Sequence, residues 1–325
     1  MRRRTFAFGF ALFALALPFA ASAQANKLAR VGFLGSESAA PYARNIDALR
    51  AGLRELGYVE GKNLAFEYRW AEGKNERLPA LAAELVRLKV DVLVTHGTPG
   101  TLAAKQATTT IPIVMASSGD ALATGLVASL SQPSGNVTGM TLLLPELSAK
   151  RLELLKQVSP RITRVASLFN PLNPAYRIDI AKTDEVAKSM NVQILRFEAR
   201  SAQDLPAAFA AMTKARVEAL LVHQDGMLNA HSREIADLAL KHHLVAGGFE
   251  EFGEAGGVIG YGVNFPQMYR RAAVFVDKLL KGTRVQDLPV EQPLAFNLVL
   301  NLKAARTLGA KIPPSLLQRA DRVLD

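Results

Sequence analysis

"RVASLFNPLNPAY" (residues 164–176) opens like a buried strand and stops at Asn170-Pro171 and Asn173-Pro174. "RVGFLGSESAAPY" (30–42) has the same Arg-Val start, the same Leu at the fifth place and the same Tyr at the thirteenth. Two further blocks echo in the same order. "VDVLVTH" (90–96) pairs with "VEALLVH" (217–223), and "GNVTG" (135–139) pairs with "GGVIG" (256–260). Blocks recurring in one order at offsets of 134, 127 and 121 predict a duplicated α/β lobe with small insertions and deletions.

The stretches between these blocks agree. Short apolar runs (Val31 to Leu34, Leu64 to Tyr68, Val90 to Thr95, Ile111 to Met115, Val137 to Leu142) alternate with amphipathic segments, the rhythm of successive βα units. Tyr42, Ile46, Leu49, Leu53 and Leu56 recur at helical spacing, as do Leu78, Leu81, Leu85 and Leu88. The series then restarts with expected strands at Val165 to Phe169, Val192 to Phe197, Val217 to His223, Leu244 to Gly247 and Val258 to Tyr261. A helix with Tyr269, Ala272, Ala273, Val276 and Leu279 inward follows, then the strand-like "FNLVLNL" (296–302) and a Pro-rich tail. This last region is too short for its own core, so it is expected to cross between the lobes. The expected division is 26–142 with about 264–290 in one lobe, and 143–263 with about 291–325 in the other.

The 325 residues are 49% hydrophobic and 21% charged, enough apolar mass for two cores. The first residues run from Arg2-Arg3-Arg4 through an apolar stretch, Phe6 to Ala20, to Ala21-Ser22-Ala23, the order of a secretory signal peptide. Cleavage after Ala23 is expected, and the apolar stretch falls short of the roughly 20 residues a bilayer span needs. Removing residues 1–23 lowers the formal charge from +10 to +7, with the basic residues spread over helix faces rather than in a block. Nucleic-acid binding therefore has little support. The chain has no Cys, which excludes disulfides, thiolate nucleophiles and Cys-ligated zinc.

In open parallel sheets ligands bind beyond the carboxyl ends of the strands. In the first lobe those loops carry Ser36 and Ser38, Gly97 and Thr98, and Ser118 and Asp120, a hydroxyl- and glycine-rich set suited to a carboxylate. In the second they carry Asn170 and Asn173, Asp225, and Phe249 with Glu250, whose amides and acids suit an ammonium group or sugar hydroxyls. A second reading stays open for each. Ser36, Ser38, Thr98, Ser118 and Asp225 stand where helix N-caps belong, and Asn170 and Asn173 precede prolines as Asx turns do. His96, His223 and the single Trp, Trp70, are expected to pack rather than to bind. No G-x-S-x-G elbow, P-loop, dinucleotide fingerprint or H-E-x-x-H is present, and His242-His243 lacks partners at metal spacing, so neither catalysis, a cofactor nor a metal site is expected.

"ELGYVEGKNLAFEYRWAEGKNERLPALAAELVRLKVDVLV", "AAKQATTTIPIVMA", "GLVASLSQPSGNVTGMT", "ELSAKRLELLKQV" and "IPPSLLQRADRVLD" resemble the extracytoplasmic substrate-binding proteins of bacterial ABC importers, the TrpX-like group typified by tryptophan and tyrosine receptors. The resemblance runs from about Lys27 to the C-terminus. It implies a type I periplasmic-binding fold, α/β, with two Rossmann-like lobes of parallel sheet joined by a multi-strand hinge and closing on a ligand. By position it implies the eleven loop residues named above as the cleft lining. The expected function is a periplasmic solute receptor, a monomer that hands a small amino-acid-like or organic-acid ligand to a permease in the inner membrane. An aromatic content of 7% is low for a ring-lined cleft, which leaves branched-chain amino acids, small amides and organic acids beside aromatic ones. The competing expectation is an enzyme, a racemase or lyase, acting in the same cleft.

Overall fold

A computed structural model describes residues 28–325, so the expected export segment lies outside the described residues. The chain first lays down β1 (Ala29–Gly35), α1 (Ala39–Glu55), β2 (Leu64–Trp70), α2 (Leu78–Arg87), β3 (Val92–His96), α3 (Gly97–Ala107), β4 (Ile113–Ser118) and β5 (Val137–Thr141). These strands form one parallel sheet in the order β2-β1-β3-β4-β5. The chain then crosses through α4 (Leu144–Val158) and builds β6 (Arg164–Phe169), α5 (Tyr176–Ser189), β7 (Gln193–Glu198), α6 (Leu205–Lys214), β8 (Ala219–Val222), α7 (Gly226–Ala230), α8 (Ser232–Lys241), β9 (Val245–Gly248), α9 (Glu250–Ala255) and β10 (Ile259–Val263). It returns through α10 (Phe265–Leu280) and crosses again to β11 (Phe296–Asn301), α11 (Leu302–Thr307), α12 (Pro314–Leu317) and β12 (Arg322–Leu324).

The second sheet reads β12-β11-β10-β9-β8-β6-β7, so its β7-β6-β8-β9-β10 portion has the strand order of the first sheet. All its pairs are parallel except β10 with β11. The sequence echo has a direct counterpart in side-chain packing. Tyr42 meets His96 edge to face at 4.8 Å and 70°, and Tyr176 meets His223 at 5.2 Å and 87°. The repeated Tyr and the repeated His thus build the same aromatic pair in each lobe, between the first turn of its first long helix (α1 or α5) and the carboxyl end of β3 or β8.

Both faces of each sheet are covered, which is why the central strands read as continuous apolar runs. Helix α10 supplies Tyr269, Ala272, Ala273, Val276 and Leu279 to the core of the first lobe, where it lies against α1. A Cβ at Gly52 would come within 2.8 Å of the Ala273 Cβ, so glycine permits that close crossing. Helix α4 conversely covers the second sheet with Leu152, Leu155 and Val158.

Three segments cross between the lobes: the chain around Leu142–Leu144, around Val263–Phe265, and the stretch from Val290 to β11. They are tied together. The Glu291 N–H donates to Gly139 O at 2.8 Å, the Thr141 N–H donates to Glu291 O at 2.9 Å, and Arg271 holds the Glu291 carboxylate with two hydrogen bonds.

Two expectations from the sequence need adjustment. β3 and β4 start at Val92 and Ile113 rather than at Val90 and Ile111, because Lys89 takes a left-handed turn (φ 53°) and Pro112 has no N–H to donate. The tail is partly strand: Val299, Leu300 and Asn301 pair with Arg322, Val323 and Leu324 of β12.

Gly139 has φ 119°, and a Cβ there would fall 2.3 Å from Met115 O. Gly139→Ala is expected to cost on the order of 3 kcal/mol or more through backbone strain and parting of β4 from β5. Urea denaturation checks it, and a loss below about 1 kcal/mol would show that the strand pair adapts.

Candidate functional site

In each sheet the chain winds off in opposite directions on either side of one strand pair, β1/β3 in the first and β6/β8 in the second, and a crevice opens beyond their carboxyl ends. The two crevices face each other across the gap between the lobes. Two small cavities lie there, of about 30 and 20 Å³, sharing His96, Gly97, Asn173, Asp225 and Gly226 as walls. Each has room for about one or two waters. The lobes are shut on each other: a Cβ at Gly119 would sit 2.7 Å from the Ala175 Cβ, and one at Gly226 would sit 2.9 Å from Ser36 Oγ. At the rim Arg44 of α1 meets Glu254 of α9 at 3.2 Å.

The first cavity has an anion-seeking wall. Helix α3 starts at Gly97 without a side-chain cap, so first-turn N–H groups and the positive end of the helix dipole are directed at the gap. Thr98 Oγ1 lies 3.3 Å from Ser118 Oγ and accepts from the Gly119 N–H at 3.2 Å. Thr101 holds the turn by donating to Gly97 O, and Thr141 holds the next loop by donating to Gly119 O and accepting from the Ala121 N–H. Leu142, Leu144 and Phe265, all on crossing segments, form the apolar side.

The facing wall centres on Asp225. Its carboxylate caps α7, accepting from the N–H groups of Met227 (3.0 Å) and Leu228 (3.4 Å). It also accepts from Asn170 Nδ2 at 3.1 Å and Asn173 Nδ2 at 3.0 Å. The Asn170 and Asn173 side-chain carbonyls accept from Leu172 N–H and Ala175 N–H, so both form Asx turns while their amides are spent on Asp225. Burial raises the Asp225 pKa while those hydrogen bonds oppose the rise.

Seven of the eleven expected residues thus come together on the cavities: Ser36, Gly97, Thr98, Ser118, Asn170, Asn173 and Asp225. Four line neither cavity. Ser38 begins α1 half-buried and makes no cap bond. Asp120 closes its own turn by accepting from Leu122 N–H and Ala123 N–H. Phe249 is core, edge-on to Phe252 at 6.0 Å, and Glu250 accepts from Asn297 Nδ2 at 3.0 Å. Both lie after β9, one strand beyond the switch point. Trp70 packs against Phe33 and Tyr42 over Gly35.

Glu37, Gly73, Asn75, Ser117, Gly119, Gln224 and Gly226 also line the cavities. Glu37 has the clearest sequence signal, an acid between two serines of the first βα loop. Burial first, then the Asp225 and Glu72 carboxylates, push its pKa up to about 7. Behind Gln224 stands the fully buried Arg151, which donates to Gln224 Oε1 at 3.1 Å and to Tyr261 O at 2.7 Å.

His96 lines both cavities with its Nδ1 2.8 Å from Tyr269 Oη, and burial pushes its pKa down to about 4. A depressed histidine stabilises fully above its unfolded pKa near 6.5, and the stability is lost as pH falls toward 4. His96→Asn is therefore expected to lose about 2 to 3 kcal/mol less than the unsubstituted chain between pH 7 and 4.5, read by urea denaturation at both. Equal losses in the two proteins would show that His96 is not held neutral.

Comparison with known proteins agrees with this architecture. A chain from Streptococcus pneumoniae, solved as an ABC domain in complex with L-Trp, matches with a TM-score of 0.85 at 23% identity, covering 91% of this chain and 99% of that one. A conserved domain protein from Vibrio cholerae matches with a TM-score of 0.86 at 27% identity, covering 91% and 100%. The tyrosine-binding protein of Clostridioides difficile is 24% identical over 257 residues, 79% of this chain and 74% of the relative. The folds are of the type I periplasmic-binding kind. Residues 40–324 match the family model for ABC transporter substrate binding proteins, and the chain belongs to that family.

Proposed function

We propose that the chain captures a small amino-acid-like molecule between its lobes for an ABC importer. The observation that carries this reading is one cavity system with a carboxylate, Asp225, on one wall and uncapped helix N–H groups with Thr98 and Ser118 on the other. A zwitterion meets both. Its carboxylate suits the start of α3 and the hydroxyl pair, and its nitrogen suits Asp225. The apolar part then faces Leu142, Leu144 and Phe265 at the hinge. Relatives described as binding tyrosine or bound to L-Trp support an amino-acid ligand.

The mechanism is a population shift. A ligand touching Gly97–Thr98 on one lobe and Asp225 on the other makes both sets of contacts only when the lobes are closed, so its differential affinity drives closure. The cavities of about 30 and 20 Å³ are too small for an amino acid, so the lobes part for entry and close on the ligand less tightly than in the arrangement described above. The closed form is what a permease would read, and the molecule is released unchanged.

The enzymatic alternative has one geometric argument. His223 Nε2 lies 2.8 Å from Ser167 Oγ and its Nδ1 lies 2.6 Å from Asp179 Oδ2, the order of a serine, histidine and acid relay. Ser167 is only 1% exposed and lines neither cavity, and Asp179 also accepts from Ser148. A nucleophile must reach its substrate, so this cluster reads as a buried polar network that braces the second lobe.

Export to the periplasm with removal of residues 1–23 belongs to the same proposal; among the described residues no helix is long and apolar enough to cross a membrane. In a thermal scan, a ligand present at about 100 times its Kd is expected to add about 2.7 kcal/mol of stability. The L-amino acids, screened singly against the mature chain, should include at least one that raises the melting temperature by a few degrees. No shift and no calorimetric heat with any of them would overturn the amino-acid assignment.

A further inference from the structure

The second cavity is not a continuation of the anion-seeking wall. Ser36, Glu37, Gly73 and Asn75 come to it from the first lobe, and Asn170, Asn173, Asp225 and Gly226 from the second. No lysine or arginine lines either cavity, and His96 is held neutral. Glu37 is 7% exposed, and its carboxylate has no hydrogen bond or ion pair among the described residues. The backbone makes room for it at Gly73, where a Cβ would come within 3.2 Å of Glu37 Oε2. Asp225, by contrast, is supplied with four donors. Closure therefore brings a carboxylate without a partner toward a second carboxylate in a buried space, an arrangement that costs free energy until a positive charge enters.

We propose that Glu37 and Asp225, one from each lobe, form a cation-recognition pair, and that the ligand supplies a positively charged nitrogen between them. The proposal rests on the amino-acid-like reading above and narrows it: a basic nitrogen is required, and simple organic acids are refused. Glu37 thereby becomes a specificity-determining residue of the first lobe. The nitrogen is bound to both lobes at once, which makes it a lock on the closed form as well as a recognition feature.

Matched pairs of ligands test this by isothermal titration calorimetry on the mature chain: L-tryptophan, L-tyrosine, L-phenylalanine and L-leucine, each against the 2-hydroxy acid that has hydroxyl in place of its amine. For the pair that binds, the amino acid is expected to bind at least about 100-fold more tightly than its hydroxy acid. Glu37→Gln keeps the shape and removes the charge. It should weaken the amino acid by about tenfold or more while changing the hydroxy acid by less than about threefold. The hydroxy-acid comparison on the unsubstituted chain does not depend on how well the variant folds.

Equal binding of both members, or an amino-acid affinity untouched by Glu37→Gln, would overturn the pair and leave the receptor reading standing. Equal weakening of both members would assign Glu37 a merely structural role and also overturn it. A melting shift with sodium or magnesium chloride and no amine present would place an inorganic ion between the carboxylates instead. If no compound of either series binds the unsubstituted chain, the amino-acid reading falls and the pair with it.

Discussion

A parallel strand pair from which the chain winds off in opposite directions leaves a gap beyond its carboxyl end, because no connecting helix covers that point. Here the gap opens between β1 and β3 in one lobe and between β6 and β8 in the other, and the rest of the molecule is arranged around that fact. Ser36, Gly97, Asn170 and Asp225 are brought together because each is the first or second residue out of one of those four strands or leads the helix that follows. Glu250, after β9, is held by Asn297 away from the cavities, whereas Ser118, at the corresponding strand end of the first lobe, lines the first cavity.

The hinge makes the gap usable. Two of the three crossing segments reach the apolar side of the first cavity, where Leu142, Leu144 and Phe265 serve both as crossing residues and as cavity wall. In the proposed mechanism, a ligand with an apolar part pressed on those residues would touch the crossing segments directly. Arg151 extends the link: it sits on α4, the helix that follows the first crossing, and holds Gln224 beside Asp225. A buried guanidinium is costly unless hydrogen-bonded, and here one bond goes to Gln224 on the cavity wall and another to Tyr261 O of β10.

The two Tyr–His pairs show how a duplicated scaffold diverges in use. Each pair packs edge to face in the same place. In the first lobe Tyr269 of α10 bonds the ring of His96, which stays neutral at the cavity wall. In the second lobe Ser167 and Asp179 bond His223, which is withdrawn from the cavities into a polar core. The neighbours decide: an aromatic helix face lies over one and an acid on α5 over the other.

Much of this was legible in the chain of residues. Alternating short apolar runs and amphipathic stretches determine parallel α/β layers, and the three echoing blocks determine that the layer is built twice, because periodicity and order are local properties. The loops after β1, β3, β4, β6 and β8 were named from the sequence, as were Thr98, Ser118, Asn170, Asn173 and Asp225. What the sequence could not assign was the division of labour among groups of one type. Asp120, Asp225, Glu37 and Glu250 are all acids near strand ends, yet Asp120 closes its own turn, Glu250 binds Asn297, Asp225 gathers four donors, and Glu37 faces the cavity without a partner. That difference depends on strand order, on the glycine at 73 that leaves space, and on the facing of two lobes far apart in sequence. These are long-range packing facts, which only the tertiary structure decides.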